Sequence, residues 1–241
     1  MGQDAVEIAH VMASIAHDLR SPLNAVIGFS HLLLNGIDGP LSEMQAADVQ
    51  AIHANGNEML RMVDCLIDLA KVEAGWLAPS PSAVHLDALL EKVVALNTGT
   101  ATQNSVRIAY AAEDLPQPLW GDGALLQKGL ERLLAAMVRL VGSGTIEVRT
   151  QIAGTCATVQ LCAAGASAPS PQASLALQAY RTAGGSAEHR VDATALYLIV
   201  SQRLLALNGA TVEVETPSPA EICARVSLPL AASRTGPKLD P

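Results

Sequence analysis

The chain has 241 residues, half of them hydrophobic, with a formal net charge of −8 and only 2% aromatic side chains. This is enough apolar material for one large or two modest domains. The acidic balance argues against nucleic acid or an anionic membrane as a main partner, and the shortage of aromatics against a base-stacking surface or an aromatic cage.

No apolar run reaches the roughly 18 residues needed to span a bilayer. The N-terminus carries Asp4 and Glu7 instead of a basic region followed by an apolar one, unlike a signal peptide. The expectation is a cytoplasmic protein without a membrane sensor of its own. Cys65, Cys156, Cys162 and Cys223 have no C-x-x-C spacing. They are expected to be reduced, mostly buried thiols, and no metal site is expected from them.

From about Asp4 to Asn35 the pattern is helical. Met12, Ala16, Leu19, Leu23, Val26, Ser30, Leu33 and Ile37 alternate spacings of four and three, the seam of a helix packed at a shallow angle. Gly36-Ile37-Asp38-Gly39-Pro40 breaks it and reverses the chain. Ser42 and Gln45 resemble a capping box opening a second helix that runs to about Ala74. Its seam is Val49, Ile52, Gly56, Met59, Val63, Leu66 and Ala70, and Gly75 is its stop. Two such helices make an antiparallel hairpin about 45 Å long. One hairpin alone leaves a long seam wet, so residues 1–76 are expected to pair with a second copy as a homodimeric four-helix bundle.

Residues 77–83, with Pro79 and Pro81, read as a linker. Residues 84–231 change texture. Helices are expected at Val84–Leu96, Leu125–Val141 and Ala193–Leu207. Strands are expected at Val106–Tyr110, Thr145–Ala153, Thr155–Cys162, Thr211–Thr216 and Glu221–Leu228. The fold class is therefore an α-helical hairpin followed by an α+β sandwich. A polar, small-residue stretch fills Ala163 to about Asp192, and residues 232–241 read as a disordered tail.

The chemistry concentrates in Ile15-Ala16-His17-Asp18-Leu19-Arg20-Ser21-Pro22-Leu23-Asn24. With Ala16 and Leu19 in the seam, His17 falls on an exposed flank, with Ser21 one turn on and Asn24 two turns on. A neutral imidazole nitrogen can attack a phosphoryl group if the other ring nitrogen is held protonated by an acceptor, for which Asp18 is the nearest candidate. Arg20 can pair with an acid or with the phosphoryl group, and Ser21 can bond a water or a phosphoryl oxygen. Pro22 removes a backbone donor and frees a carbonyl near His17. His10, His31 and His53 lack the following acid and proline and read as surface histidines.

His17-Asp18-Leu19-Arg20-Ser21-Pro22-Leu23 closely resembles the phosphoacceptor box of sensor histidine kinases. Ile67-Asp68-Leu69-Ala70-Lys71-Val72-Glu73-Ala74-Gly75 resembles the end of that family's second dimerisation helix. The resemblance implies phosphorylation of His17, an acid/base role for Asp18, and for Ser21 the position used in phosphatase reactions. It also implies an ATP-binding domain, whose motifs are altered here. Arg132 and Ala136 stand where two asparagines belong, the second a magnesium ligand. Ala163 replaces an adenine-binding aspartate, with Gly165 the one glycine kept. Asp192-Ala193-Thr194-Ala195-Leu196-Tyr197 replaces a glycine-rich phosphate loop. The frame around them matches: Gly121-Asp122 before one helix and Leu207-Asn208-Gly209-Ala210 before the closing strands. Gly121-Asp122-Gly123 and Gly184-Gly185 lack a P-loop lysine and read as loop glycines.

An acceptor histidine kept while a nucleotide site is lost resembles the dimeric histidine phosphotransferases of two-component phosphorelays. That implies phosphoryl transfer between receiver-domain aspartates by way of phosphohistidine. The catalytic set is His17, Asp18, Arg20 and Ser21, and the receiver supplies magnesium. No cofactor of the chain's own is expected. The receiver-docking face is expected to include Asn24, Gly28, Gln50 and Ala54. The alternatives are a pseudokinase scaffold that regulates a kinase or response regulator, and a response-regulator phosphatase using Ser21.

Overall fold

The computed structural model describes residues 2–37, 39–111, 118–164, 177, 192–218 and 221–230. The chain divides into two compact units, Met1–Leu77 and Ala78–Pro241. Helical periodicity dominates the first, and short strands and helices make the second.

The first unit is a helical hairpin of α1 (Gly2–Leu34) and α2 (Glu43–Glu73). Its ends are written in backbone chemistry. After α1 the Gly36 N–H donates to the Leu33 carbonyl and Ile37 N–H to Leu32. This closure needs the left-handed conformation that Gly36 adopts at φ +70°. Gly75, also at φ +70°, closes α2 in the same way, with Gly75 and Trp76 donating to Val72 and Lys71. At the start of α2 the Ser42 hydroxyl accepts from Gln45 N–H and the Gln45 side chain accepts from Ser42 N–H, a complete capping box.

The seam divides between two environments. Every seventh residue, Ala16, Leu23 and Ser30 on α1 and Gly56, Val63 and Ala70 on α2, is buried in the hairpin. The intervening Leu19 and Val26 are 44% exposed, and Ile52 and Met59 about half exposed. Ala16, Leu23, Val63 and Ile67 form the apolar cluster, with Leu60 against it. Each larger member contributes on the order of 2 kcal/mol. Gly56 sets the helix separation: a Cβ there would lie 3.0 Å from Ile27 Cγ1. No helix among the described residues is long and apolar enough to cross a membrane.

The second unit is an α/β sandwich. In chain order it comprises β1 (Ser82–Val84), α3 (Leu86–Gln103), β2 (Val106–Tyr110), β3 (Leu119–Gly121), α4 (Gly123–Val141), β4 (Gly144–Ala153), β5 (Cys156–Ala164), α5 (Ala193–Ala206), β6 (Thr211–Ser218) and β7 (Glu221–Pro229). The main sheet runs β2-β4-β5-β7-β6. β2 joins β4 in parallel and the other pairs are antiparallel. Strand alternation buries Ile146 and Val148, Val159 and Leu161, and Ala224 and Val226. Against these strands lies α4, whose Leu126, Leu130, Leu133, Leu134 and Met137 are almost wholly buried.

Three expectations change. Residues 82–84, read as the end of a linker and the start of a helix, form β1, which pairs antiparallel with β3, a strand the sequence pattern does not announce. Three-residue strands are too short to carry an alternation. α3 starts at Leu86 and runs to Gln103, past the expected Leu96. Cys162 and Cys223, expected to be thiols, form a disulfide because β5 and β7 place them directly opposite each other, 61 residues apart in sequence. Cys65 and Cys156 are free. Most of the polar stretch after Ala163, including Gly165 and Gly184-Gly185, and the tail 232–241 lie outside the described residues.

Candidate phosphoacceptor site

α1 runs through Pro22 as one helix. A proline has no N–H to give the carbonyl one turn earlier, that of Asp18, so the backbone beside His17 keeps a free acceptor. The His17 side chain is 84% exposed and that of Asp18 79%. His17 Nδ1 lies 3.4 Å from Asp18 Oδ1, and Nε2 has no hydrogen bond among the described residues. A proton held at Nδ1 by Asp18 leaves the Nε2 lone pair facing outward as the nucleophile.

Arg20, three residues on, turns to α2. Its Nη2 donates to Asp64 Oδ1 at 2.6 Å and its Nε to the same oxygen at 3.1 Å. Both side chains are partly exposed. The sequence leaves Arg20 either an acid or the phosphoryl group as partner; in the structure the partner is Asp64, 44 residues away. The cross-helix register finds it: Gly56 meets Ile27, and two further turns along each helix bring Asp64 opposite Arg20.

Ser21 is exposed one turn from His17. Asn24 and Gly28 are exposed further along α1, with nothing within 4 Å of a Cβ built on Gly28. Gln50 and Ala54 are exposed on α2, one turn apart. No described hydrogen bond joins these four residues to His17. His10 and His31 are exposed, His10 against the Trp76 ring with centroids 4.3 Å apart and His31 bonded to Asn35. His53 is half-buried. Ser30 Oγ donates to the Ile27 carbonyl and therefore accepts from His53 Nδ1 at 3.0 Å. That bond explains a serine in the seam.

In the second unit, Asp122 caps α4 by accepting from Ala124 and Leu125 N–H, and it also accepts from Ser80 N–H. Burial pushes its carboxyl up, but the Ser80, Leu125 and Ala124 amides outweigh this and hold it below the usual carboxylate value. Asp122 N–H donates to the buried Asn208 side chain at 2.6 Å. A Cβ on Gly121 would lie 2.8 Å from Asn208 Oδ1, so the two matching frame motifs are packed directly together.

The positions that the resemblance assigns to nucleotide contacts are filled. Ala136 and Ala163 are fully buried. Arg132 is 9% exposed, its guanidinium 5.9 Å from the centroid of the buried Tyr197 ring. Asp192 caps α5, accepting from Ala195 N–H at 2.8 Å. Among the described residues no three His, Cys, Asp or Glu side chains gather as a metal site.

With this geometry in view, the family model of the His Kinase A (phospho-acceptor) domain matches residues 8–75, the hairpin that carries His17. In this hairpin the chain is similar to histidine kinases. It is 27% identical over 217 residues to the signal transduction histidine-protein kinase BarA of Escherichia coli (strain K12), covering 87% of this chain and 23% of that protein. It is also 27% identical to the circadian input-output histidine kinase CikA of Synechococcus elongatus, over 85% of this chain and 28% of that one. The chain thus spans about a quarter of the length of these curated relatives. Among solved structures it is similar in fold to full-length ShkA in complex with AMPPNP, with TM-score 0.65 and 23% identity over 92% of this chain and 46% of that one. The Acinetobacter baumannii histidine kinase AdeS gives TM-score 0.55 and 15% identity over 89% of this chain and 98% of that one. The helical hairpin followed by a mixed α/β domain is the arrangement these kinase structures share.

Proposed function

We propose that this chain is a histidine phosphotransferase of a two-component phosphorelay. It takes a phosphoryl group from the aspartyl phosphate of one receiver domain onto His17 Nε2 and gives it to the aspartate of another, without binding ATP. One observation carries the reading: His17 and Asp18 stand exposed with their chemistry intact, while the nucleotide positions hold buried alanines, a buried arginine and a capping carboxylate.

The replacements work against a phosphate. Asp192 already accepts from a helix N-terminal amide and places negative charge where phosphates would approach. Ala136 offers no oxygen to a metal. A receiver brings its own aspartyl phosphate and magnesium, so this chain needs only a held imidazole and a docking face. Asn24, Gly28, Gln50 and Ala54 are assigned to that face. The exposed stripe of Leu19, Val26, Ile52, Met59 and Leu66 is assigned to a second copy of the hairpin.

The test is incubation of the full chain with phosphorylated receiver domains, wild type against His17→Ala. Label is expected on the wild type, stable to base and labile to acid, and absent from His17→Ala. Wild-type chain that takes no label from any receiver of its own cell would overturn the proposal.

A further inference from the structure

We propose that Asp64 is a positioning residue for this transfer, acting through Arg20 to keep phosphohistidine at His17 ready to give up its phosphoryl group. The inference rests on the phosphotransfer reading. It starts from a geometric choice. Arg20 lies three residues after His17, within reach of a group attached to that ring. Its guanidinium nevertheless points to the other helix, with two donors on the one oxygen Asp64 Oδ1 at 2.6 and 3.1 Å.

The step itself balances within the two proteins. Nε2 of neutral His17 attacks the phosphorus of the receiver's aspartyl phosphate. The N–P bond forms as the P–O bond to the receiver's carboxylate breaks, and the electron pair leaves on that carboxylate. The Nδ1 proton stays on the ring beside Asp18. The ring gains the positive charge that the leaving carboxylate balances, and the return step runs the same bonds in reverse.

The phosphoryl group on Nε2 carries two negative charges in an exposed position. A guanidinium that turned to it would form charge-assisted hydrogen bonds and favour the phosphohistidine over the receiver's phosphoaspartate. Asp64 competes for that guanidinium. While Arg20 is held on α2, the phosphoryl group keeps its transfer potential. Another ion pair of the hairpin, Arg61 with Glu58, lies within α2 and pairs an arginine with its own neighbour. Arg20–Asp64 instead crosses between the helices, with Arg20 one turn from His17.

The experiment is the equilibrium of phosphoryl exchange between one receiver and the full chain, read as the ratio of phosphohistidine to phosphoaspartate. Asp64→Asn, which frees Arg20, should raise that ratio about two- to fivefold, the span of a half-exposed ion pair. Asp64→Glu should restore the wild-type ratio. In an Arg20→Gln background, adding Asp64→Asn should leave the ratio where Arg20→Gln alone puts it. A ratio unmoved by Asp64→Asn, or a shift that persists without Arg20, overturns the proposal, because a purely structural role for Asp64 does not depend on Arg20's charge. Wild-type chain that accepts no label overturns the phosphotransfer reading first, and this inference with it.

Discussion

Three aspartates show how differently one carboxylate can be employed. Asp64 holds a guanidinium, whereas Asp122 and Asp192 close the N-termini of α4 and α5 by accepting backbone amides. The titration of Asp122 has a predictable sign. Its pKa in the folded chain lies below the ordinary 3.8. Its contribution is therefore fully present above the unfolded value and is lost as pH falls through the lowered folded value. Asp122→Ala should cost about 1 kcal/mol at neutral pH, the usual worth of a cap. Urea unfolding should show the gap to wild type narrowing as the solution is taken below pH 3.8; a gap that stays constant would contradict the assignment. The contact between His17 and Asp18 is legible in sequence because the two are neighbours. The Arg20–Asp64 pair is not, because it exists only once the hairpin has a register.

At the scale of elements, the two long helices announce themselves through heptad spacing, a capping box and closing glycines, all of which are local. β1 and β3 stay hidden because each is three residues long and pairs only with the other. The Cys162–Cys223 disulfide is hidden for the same kind of reason: it depends on the register of β5 against β7. Seam positions were readable, but their division between the inside of the hairpin and its outer stripe was not. That division makes a direct prediction. Met59, 52% exposed in the middle of the α2 stripe, would be covered in a dimer. Met59→Lys would then bury an unpaired charge and should weaken association about tenfold or more, with helix content retained. Sedimentation across a concentration series checks it, and an unchanged association constant would mean that the stripe is not the interface.

For the molecule as a whole, the second unit has a fold similar to that of histidine kinase structures, and in the proposed reading it no longer takes a nucleotide. The frame is legible because Gly121-Asp122 and Asn208 are recognisable, and the structure shows them bonded. The surroundings of Arg132 needed coordinates: its burial over Tyr197 depends on α4 lying against α5. Calorimetry of the full chain with magnesium and ATP should register no binding heat, and micromolar affinity would overturn the reading of this unit.

The divided seam also has a consequence for the proposed pairing of two copies. Small residues, Ala16, Ser30, Gly56 and Ala70, share the inside of the hairpin with Leu23, Val63 and Ile67, while Leu19, Val26, Ile52, Met59 and Leu66 are exposed. If that outward stripe pairs with a second copy as proposed, the ordered hairpin is tied to the protomer concentration by mass action. Under the proposed relay function and pairing, a smaller pool of this protein would lower relay capacity more steeply than in proportion, even with every His17 chemically intact.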